Sequence, residues 1–347
     1  MSKDISYANA LNLALHHEMK SDKHVVFYGI GIFDEITALG TSNGLLEKYG
    51  SLRCFETPLS EDSMTGLSLG AALAGLKPVQ LHIRADFLML AMNQIVNMIS
   101  SFQYSAKKKT PLPIVIRVLI GRGWGQGFQH SKSLFSYFTH LPGLEVVAPV
   151  SPNQAYHLLR KSIQSKNPTI FFEHRWLYSG MGQISKENKY NIGKSIIEKK
   201  GSDITIIAIS WMVVEARQAA EILKKHHNIS VEIINPLTLR PIDYSIIYKS
   251  VKKTSKIIIA DCDWLNSGLS AEISSSITEN CFKDLTSPPV RIGNADSPCP
   301  TVRKLETEFY PNSKNIVRAV ERMFNKKHAD LTNYNFYSHE EKFRGPF

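Results

Sequence analysis

Glu61, Phe87 and His130 are the residues in the first half of this sequence whose types and settings could do chemistry. Glu61 ends the run TPLSE, directly before a small, apolar stretch with glycines at 66, 70 and 75. A carboxylate in the first turn of such a helix can pair with the helix dipole, and this is the simpler interpretation of the residue alone. A half-buried carboxyl group there could also keep its proton and act as a hydrogen-bond donor or an acid.

His130 follows a loop, residues 121–127, in which four of seven residues are glycine. A histidine beside a flexible loop is a common catalytic arrangement, because loops carry function on a rigid scaffold. The chain has 12 histidines, so a surface histidine is the alternative interpretation. Phe87 begins an apolar stretch, where a core aromatic residue is the default interpretation.

Alternating apolar patterns predict the elements that must position these residues. Short apolar runs are typical of buried strands, and longer periodic stretches are typical of helices. We predict strands at 24–28, 78–83, 113–119, 145–147, 169–172, 204–209, 231–234 and 257–260. We predict helices at 5–19, 63–76, 87–104 (buried on every side), 152–164, 213–226, 269–278 and 317–324. This alternation indicates an α/β protein of two domains with mainly parallel sheets.

The length of 347 residues also favours two domains. The first domain is predicted at residues 1–177 and the second at 201–328, separated by a polar, Gly- and Lys-containing linker at 178–200. The aromatic and polar tail at 329–347 has no periodicity, and the sequence assigns it no role.

Composition excludes several classes of protein. No apolar run is long enough to span a membrane, and the first residues lack the pattern of a secretory signal. The four cysteines have neither metal nor disulfide spacing, so we expect free thiols and a cytoplasmic protein. The net charge is +10, but lysines and arginines are spread along the chain, so we expect no nucleic-acid binding.

The pair of glycines at 29 and 31 follows a predicted strand and resembles the start of a dinucleotide-binding turn. The third glycine of that motif is missing, because Asp34 occupies its position. We therefore expect no nicotinamide site, and no metal-binding motif is present.

A set of motifs in a consistent order carries a family resemblance. The motifs are TPLSE at 57–61, GAALAGLKP at 70–78, DF at 86–87, QHS at 129–131, HLPGLEVVAP at 140–149, NPLTLRPID at 235–243 and NADSP at 294–298. With them the chain resembles the beta subunit of the decarboxylating component of 2-oxoacid dehydrogenase complexes, of the pyruvate and branched-chain type. The resemblance extends from about residue 7 to about residue 323.

The resemblance implies a thiamine-diphosphate-binding fold, with a pyrimidine-binding domain followed by a transketolase C-terminal domain. It implies oxidative decarboxylation of a small 2-oxoacid, with acyl transfer to the lipoyl group of a dihydrolipoyl acyltransferase. In this family an alpha subunit binds the diphosphate and Mg²⁺ through a Gly-Asp-Gly motif, which this chain lacks. We therefore expect an alpha partner in an α2β2 tetramer.

The resemblance also implies roles for the three residues. Glu61 matches the carboxyl group that bonds the pyrimidine nitrogen of the cofactor and favours its imino form, a role suited to pKa tuning by burial. Phe87 matches the aromatic residue that packs on the pyrimidine ring. His130 matches the active-site histidine that orients the substrate and stabilises developing charge.

Departures from the family cluster where the substrate would lie. The strand before Phe87 reads LHIR and ends in Arg84, and the glycine loop carries Arg122 and Trp124. Arg84 or Arg122 would suit an anionic substrate, although a solvated arginine is the alternative for each. The family's monovalent-cation loop has an aspartate two residues before an asparagine, where this chain has Ser165 and Asn167. We therefore expect weak or no potassium dependence.

Two other functions remain open at this stage. The chain could belong to a transketolase-like or acyloin-forming carboligase pair that acts on an aldehyde or sugar without a lipoyl partner. It could also be a non-catalytic subunit, although intact Glu61 and His130 argue against this. Docking to a basic acyltransferase domain would be weakened by the chain's own positive charge.

Overall fold

The computed structural model describes residues 4–33, 39–107, 110–121 and 126–336. The strands are β1 Ile5–Ser6, β2 Val25–Gly29, β3 Cys54–Glu56, β4 Lys77–His82, β5 Val115–Ile120, β6 Glu145–Val147, β7 Thr169–His174, β8 Met181–Gly182, β9 Ile196–Lys199, β10 Ile204–Ala208, β11 Val231–Asn235, β12 Thr238–Arg240, β13 Ile257–Trp264 and β14 Val290–Asn294. The α-helices are α1 Tyr7–Ser21, α2 Leu45–Tyr49, α3 Glu61–Leu73, α4 Ala85–Leu88, α5 Ser100–Ser105, α6 Phe135–Thr139, α7 Pro152–Gln164, α8 Met212–His227, α9 Tyr244–Thr254, α10 Leu269–Cys281, α11 Arg303–Phe309 and α12 Ser313–Met323.

The chain divides into two compact units. The first contains the described residues up to Ile192 together with Leu239–Pro241, and the second contains Gly193–Thr238 and the described residues from Ile242 to Phe336. The seven-stranded sheet has the order β12-β6-β7-β5-β4-β2-β3, and the five-stranded sheet has the order β14-β13-β10-β11-β9. The α/β class with mainly parallel sheets is therefore confirmed.

Strands of the first unit are apolar along their length because helices cover a parallel sheet on both faces. All five residues of β2 and all six of β5 are buried. β2 pairs in parallel with both β3 and β4, and β5 pairs in parallel with β4 and β7. The carboxyl ends of β3, β4, β5 and β7 therefore lie at one edge of the sheet, which is where ligands bind in open α/β sheets.

The second unit repeats this arrangement on a smaller scale. Strand β10 lies between β11 and β13 in parallel, and β14 continues the sheet in parallel beyond β13. Strand β9 pairs antiparallel with β11 and forms the edge of this sheet. Residues 196–199 of the predicted linker are thus a strand, because pairing with β11 satisfies their backbone groups.

Helix α7 has the predicted limits because its capping signals are local. Ser151 accepts a hydrogen bond from the backbone of Gln154, whose side chain in turn accepts one from the Ser151 backbone. Pro152 stands at the first helical position, where its missing N–H costs nothing.

The predicted buried helix at 87–104 is wrong in two respects. It is divided into α4, a 3₁₀ turn at Met89–Ala91, a π-helix at Gln94–Ile99 and α5. Several of its apolar side chains are exposed, among them Leu90, Met98 and Tyr104. The apolar residues on every side of this stretch indicate burial, but only one side packs on the unit, so the sequence pattern misleads.

The remaining predictions concern the cysteines, the glycine loop and the tail. The four cysteines are free and buried, as expected. Residues 122–125 of the glycine loop lie outside the described residues. The tail, which the sequence does not place, packs on the second unit as far as residue 336: the Ala329 N–H donates to Glu321 Oε1 (2.7 Å), and Gln218 Nε2 donates to the Asn335 carbonyl oxygen (2.9 Å).

A fully buried ion pair joins β5 to β7 beneath the carboxyl edge of the first sheet. Arg117 Nε donates to Glu173 Oε1 (2.5 Å) and Arg117 Nη2 donates to Glu173 Oε2 (2.9 Å), with both side chains completely buried. The Tyr178 hydroxyl donates to the same carboxylate, and the Tyr7 ring stacks on Tyr178. Charges removed from water in this way are tolerated only while every partner is present.

We predict that Glu173→Gln lowers the free energy of unfolding of the first unit by about 3–5 kcal/mol, because it leaves the Arg117 guanidinium buried without a counter-charge. Urea unfolding followed by fluorescence measures this. Lys77→Gln is the matched control: it breaks the half-exposed Lys77–Asp22 pair (3.0 Å) and should cost at most about 1 kcal/mol. Equal, small losses in both variants would contradict the assignment.

Candidate active site

The carboxyl edge of the first sheet gathers the residues that the sequence singles out. Glu61 follows β3 after a loop of four residues, Arg84 and Phe87 follow β4, and His130 follows β5. Because these strands are parallel neighbours, their ends share one edge. Topology therefore brings together groups that are 69 residues apart in sequence, from 61 to 130.

Glu61 is the first residue of α3 and is only 8% exposed. Ser60 is the N-cap residue, but its side chain does not cap the helix. Within the described part of the chain, the Glu61 carboxylate has no hydrogen-bond partner. The neighbouring Asp62 is exposed and accepts a hydrogen bond from Gln94 Nε2 (3.3 Å). Only Glu61 therefore keeps its oxygens available for a ligand.

A buried hydrogen-bond network fixes α3 to the strands beneath it. Thr65 Oγ1 donates to the Glu61 carbonyl oxygen (2.8 Å) and accepts from Gln80 Nε2 (3.2 Å). Ser68 Oγ donates to Gln80 Oε1 (2.7 Å) and lies 2.6 Å from the Tyr28 hydroxyl. These residues come from α3, β4 and β2, so the network holds the first turn of α3 rigidly on the sheet.

His82 completes this network in its neutral form. Its Nε2 lies 2.6 Å from Gln80 Nε2, which is the donor, so the His82 nitrogen accepts and carries no proton. Burial lowers the pKa of His82 to about 3. The LHIR sequence at 81–84, which departs from the family, thus contains a buried structural histidine. The departures are expected to lie where the substrate binds, but His82 does not face that position.

Phe87 and His130 lie in contact. Their ring centroids are 5.2 Å apart, and the rings meet edge to face at 80°. Phe87 is 38% exposed, so it is not the core aromatic residue of the default interpretation. His130 follows the 3₁₀ turn Gly127–Gln129, and its N–H donates to the Gly127 carbonyl oxygen (3.4 Å).

Helix α3 also packs against the segment that follows Phe87. The Gln94–Asp62 hydrogen bond joins them, and the Gln94 side chain lies beside Gly66, with its Oε1 3.5 Å from the position of a Cβ at residue 66. The turn that carries Glu61 is thereby linked to the segment that carries Phe87.

Most of the charges around His130 that the described residues contribute are positive. Burial lowers the pKa of His130, and Arg84, Lys132 and Arg175 lower it further, whereas Asp86 raises it. Lys132 Nζ donates to Asp86 Oδ1 (2.8 Å), so these two groups neutralise each other. A neutral imidazole at neutral pH can donate one proton and accept another, as general acid–base chemistry requires.

Arg84 is buried, with 3% exposure, and therefore is not the solvated arginine of the alternative interpretation. Arg84 Nη1 donates to the Gly121 carbonyl oxygen (2.5 Å), and its Nη2 donates to Gln126 Oε1. Gly121 has φ +79°, and a Cβ there would lie 2.5 Å from the His174 ring, so this backbone turn requires glycine. Arg122, the other predicted substrate residue, lies outside the described residues.

Arg175 is a buried residue near His130 that sequence reasoning misses. It directly follows β7, is 7% exposed, and its Nη1 donates to the same Gln126 Oε1 (3.3 Å). The available signal was its position after a strand of the parallel sheet, at the edge where ligands bind. Without the strand order, nothing in the sequence relates residue 175 to residue 84.

No group of three or more His, Cys, Asp or Glu side chains able to hold a metal ion occurs among the described residues. Over the same residues, no helix has the length and apolar character needed to cross a membrane.

Comparison with known proteins identifies the class to which this fold and site belong. The transketolase pyrimidine-binding domain matches residues 3–180, and the transketolase C-terminal domain matches residues 193–316. A solved structure of a split-gene transketolase, an inactive β4 tetramer, superposes with a TM-score of 0.74 at 21% identity, over 93% of this chain and 99% of that one. The chain is thus a two-domain protein of the transketolase type.

Closer relatives define the family within this class. The chain is 38% identical to the pyruvate dehydrogenase E1 component subunit beta-1 of Oryza sativa subsp. japonica, over 92% of this chain and 87% of that protein. It is 37% identical to the beta-1 subunit of Arabidopsis thaliana and 34% identical to the beta subunit of Mus musculus, over 92% of this chain and 90% and 91% of those proteins. The chain belongs to the family of pyruvate dehydrogenase E1 beta subunits.

The names of these relatives call them mitochondrial. They give no support to the cytoplasmic location expected from the sequence, which stays a prediction.

We predict that His82 makes the stability of the first unit depend on pH. Its folded pKa of about 3 lies below the unfolded value of about 6.5. The folded state therefore binds fewer protons between these values, and stability falls as the pH is lowered through this window, by up to about 1.4 kcal/mol per pH unit.

His82→Gln keeps an acceptor for Gln80 Nε2 but does not titrate. In urea unfolding between pH 6.5 and 4, its stability should fall less steeply than that of the wild type. Parallel curves for the two proteins would show that His82 is not held neutral.

Proposed function

We propose that the chain is the beta subunit of a thiamine-diphosphate-dependent 2-oxoacid dehydrogenase, and that it contributes the pyrimidine half of the cofactor site. The observation that carries the proposal is the Glu61 carboxyl group, buried on a rigidly held helix without a protein partner among the described residues. The membership of the chain in the family of pyruvate dehydrogenase E1 beta subunits also supports this proposal.

The residues present fit this cofactor. Glu61 would bond a pyrimidine ring nitrogen, and the half-exposed Phe87 ring would pack on the pyrimidine face. When bound, thiamine diphosphate supplies the nucleophilic carbon and the electron sink for loss of carbon dioxide. His130, beside Phe87, would orient the 2-oxoacid and move a proton at its ring nitrogen.

We propose an alpha subunit as the obligatory partner, in an α2β2 tetramer that holds the diphosphate and Mg²⁺ mainly through the alpha chain. The missing Gly-Asp-Gly motif supports this. A dihydrolipoyl acyltransferase would be the acceptor of the acyl group. The carboligase alternative gains no specific support. The chain resembles the split-gene transketolase at only 21% sequence identity, and such a resemblance concerns the fold alone.

We propose that this subunit does not need potassium. The Lys166 carbonyl oxygen already accepts from the Leu112 N–H (2.9 Å) and Gln103 Nε2 (2.7 Å). The Glu145 carboxylate accepts from Ser165 Oγ (2.9 Å) and Asn167 Nδ2 (2.8 Å). A hard cation needs such oxygens as ligands, and here protein donors use them.

Replacing sodium by potassium at equal ionic strength should therefore leave the free energy of unfolding of the complex unchanged. A bound cation present at 100 times its Kd would add about 2.7 kcal/mol. A stabilisation of that size, specific to potassium, would contradict the proposal.

The function is tested on the chain co-purified with its alpha subunit, by dye reduction with thiamine diphosphate, Mg²⁺ and a panel of 2-oxoacids. We predict that Glu61→Gln lowers kcat by at least about 100-fold, because the amide cannot exchange the proton that activates the cofactor. Asp62→Asn is the matched control, since it removes a carboxylate from the same helical turn and should change kcat less than about threefold.

Similar losses in both variants would mean that Glu61 only pairs with the helix dipole. A folded, cofactor-loaded complex that reduces no dye with any 2-oxoacid would contradict the proposed reaction.

A further inference from the structure

Two buried arginines meet beside His130, and the proposed reaction of a simple 2-oxoacid needs neither. Arg84 follows β4 and Arg175 follows β7, so they reach this point from strands on either side of β5. Both are more than 90% buried. Arginine stays charged in proteins, so each brings a full positive charge to this edge of the sheet.

Both guanidinium groups donate to one neutral atom, Gln126 Oε1. A carboxylate or phosphate oxygen in the same position would form charge-assisted hydrogen bonds, which are about twice as strong as those to a neutral acceptor. The two guanidinium groups therefore form a site whose geometry suits an acidic group better than the Gln126 side-chain amide that now occupies it.

Electrostatics agree with this geometry. Among the described residues, four charged groups act on His130: three are cations, and the fourth, Asp86, pairs with Lys132. Positive charge therefore prevails around the imidazole, which contacts Phe87 and so lies where the substrate would react. An anion gains most from such charges where water is excluded.

We propose that Arg84 and Arg175 together bind a second acidic group of the substrate, a carboxylate or a phosphate, at the end remote from its 2-oxoacid group. This inference rests on the proposed function, since it names the class of 2-oxoacid that the subunit accepts. Arg175 is then a specificity-determining residue, and Gln126 holds the two guanidinium groups at one point until the acidic group takes the place of its side-chain oxygen.

The test compares pairs of substrates that differ only in charge at the remote end. The pairs are 2-oxoglutarate against its 5-amide, and the phosphate ester of hydroxypyruvate against hydroxypyruvate. Dye reduction by the complex with its alpha subunit, thiamine diphosphate and Mg²⁺ gives kcat/KM for each. We expect the acidic member of at least one pair to be favoured by about 100-fold or more, and the pair concerned distinguishes carboxylate from phosphate.

Arg84→Gln and Arg175→Gln should each lower that preference by about 10- to 100-fold, the range for a hydrogen bond to a charged group. Arg175→Lys keeps the charge and should restore part of it. Arg53→Gln is the control: Arg53 also donates to backbone carbonyl oxygens, of Met19, Asp22 and Val25, and should leave the preference unchanged.

The two ways of failing are distinct. Turnover that favours neutral 2-oxoacids in every pair overturns the inference and leaves the proposed function intact. If no 2-oxoacid is turned over, the function fails, and calorimetric binding of 2-oxoglutarate and its amide to the cofactor-loaded complex still tests the arginines. Equal affinity for both members, unaffected by Arg175→Gln, would then overturn the inference.

Discussion

The candidate site depends on one constraint: the Glu61 carboxyl group is held in a nearly buried position without a hydrogen-bond partner among the described residues. A carboxyl group in this position can serve a ligand only if the surrounding structure holds its helical turn in place. The network from Thr65 through Gln80 and Ser68 to Tyr28 does this, because it fixes α3 to strands β4 and β2. The free energy of packing thus keeps a reactive group ready for a ligand.

The same sheet edge gives the site its electrical character. Neutral His82 lies below it, and the Asp86–Lys132 pair carries no net charge. Among the described residues near His130, Arg84 and Arg175 therefore make the balance of charge positive. In the proposed function, the part of the site that activates the cofactor is therefore separate from the part that selects the substrate. We propose that Glu61 and Phe87 belong to the first part and that the two arginines belong to the second.

Local signals in the sequence predict what is determined locally. The limits of α7 follow from Ser151, Pro152 and Gln154, and the α/β alternation follows from apolar runs. The family motifs single out Glu61, Phe87 and His130, but not the contact between Phe87 and His130. Arg175 could not be found in the same way, because its meeting with Arg84 depends on the order of strands in the sheet. The prediction of a helix at 87–104 that is buried on every side fails for a similar reason. The apolar residues at 90, 98 and 104 are exposed, and the sequence pattern does not show which side of this segment packs against the first unit.

The most direct measurement is an experimental structure of the chain in complex with its alpha subunit, thiamine diphosphate and Mg²⁺. The account predicts that a pyrimidine ring nitrogen lies within hydrogen-bond distance of the Glu61 carboxylate, about 2.6–3.2 Å, with the ring face against Phe87. A cofactor bound elsewhere, or a Glu61 side chain turned to a donor within the protein, would contradict it.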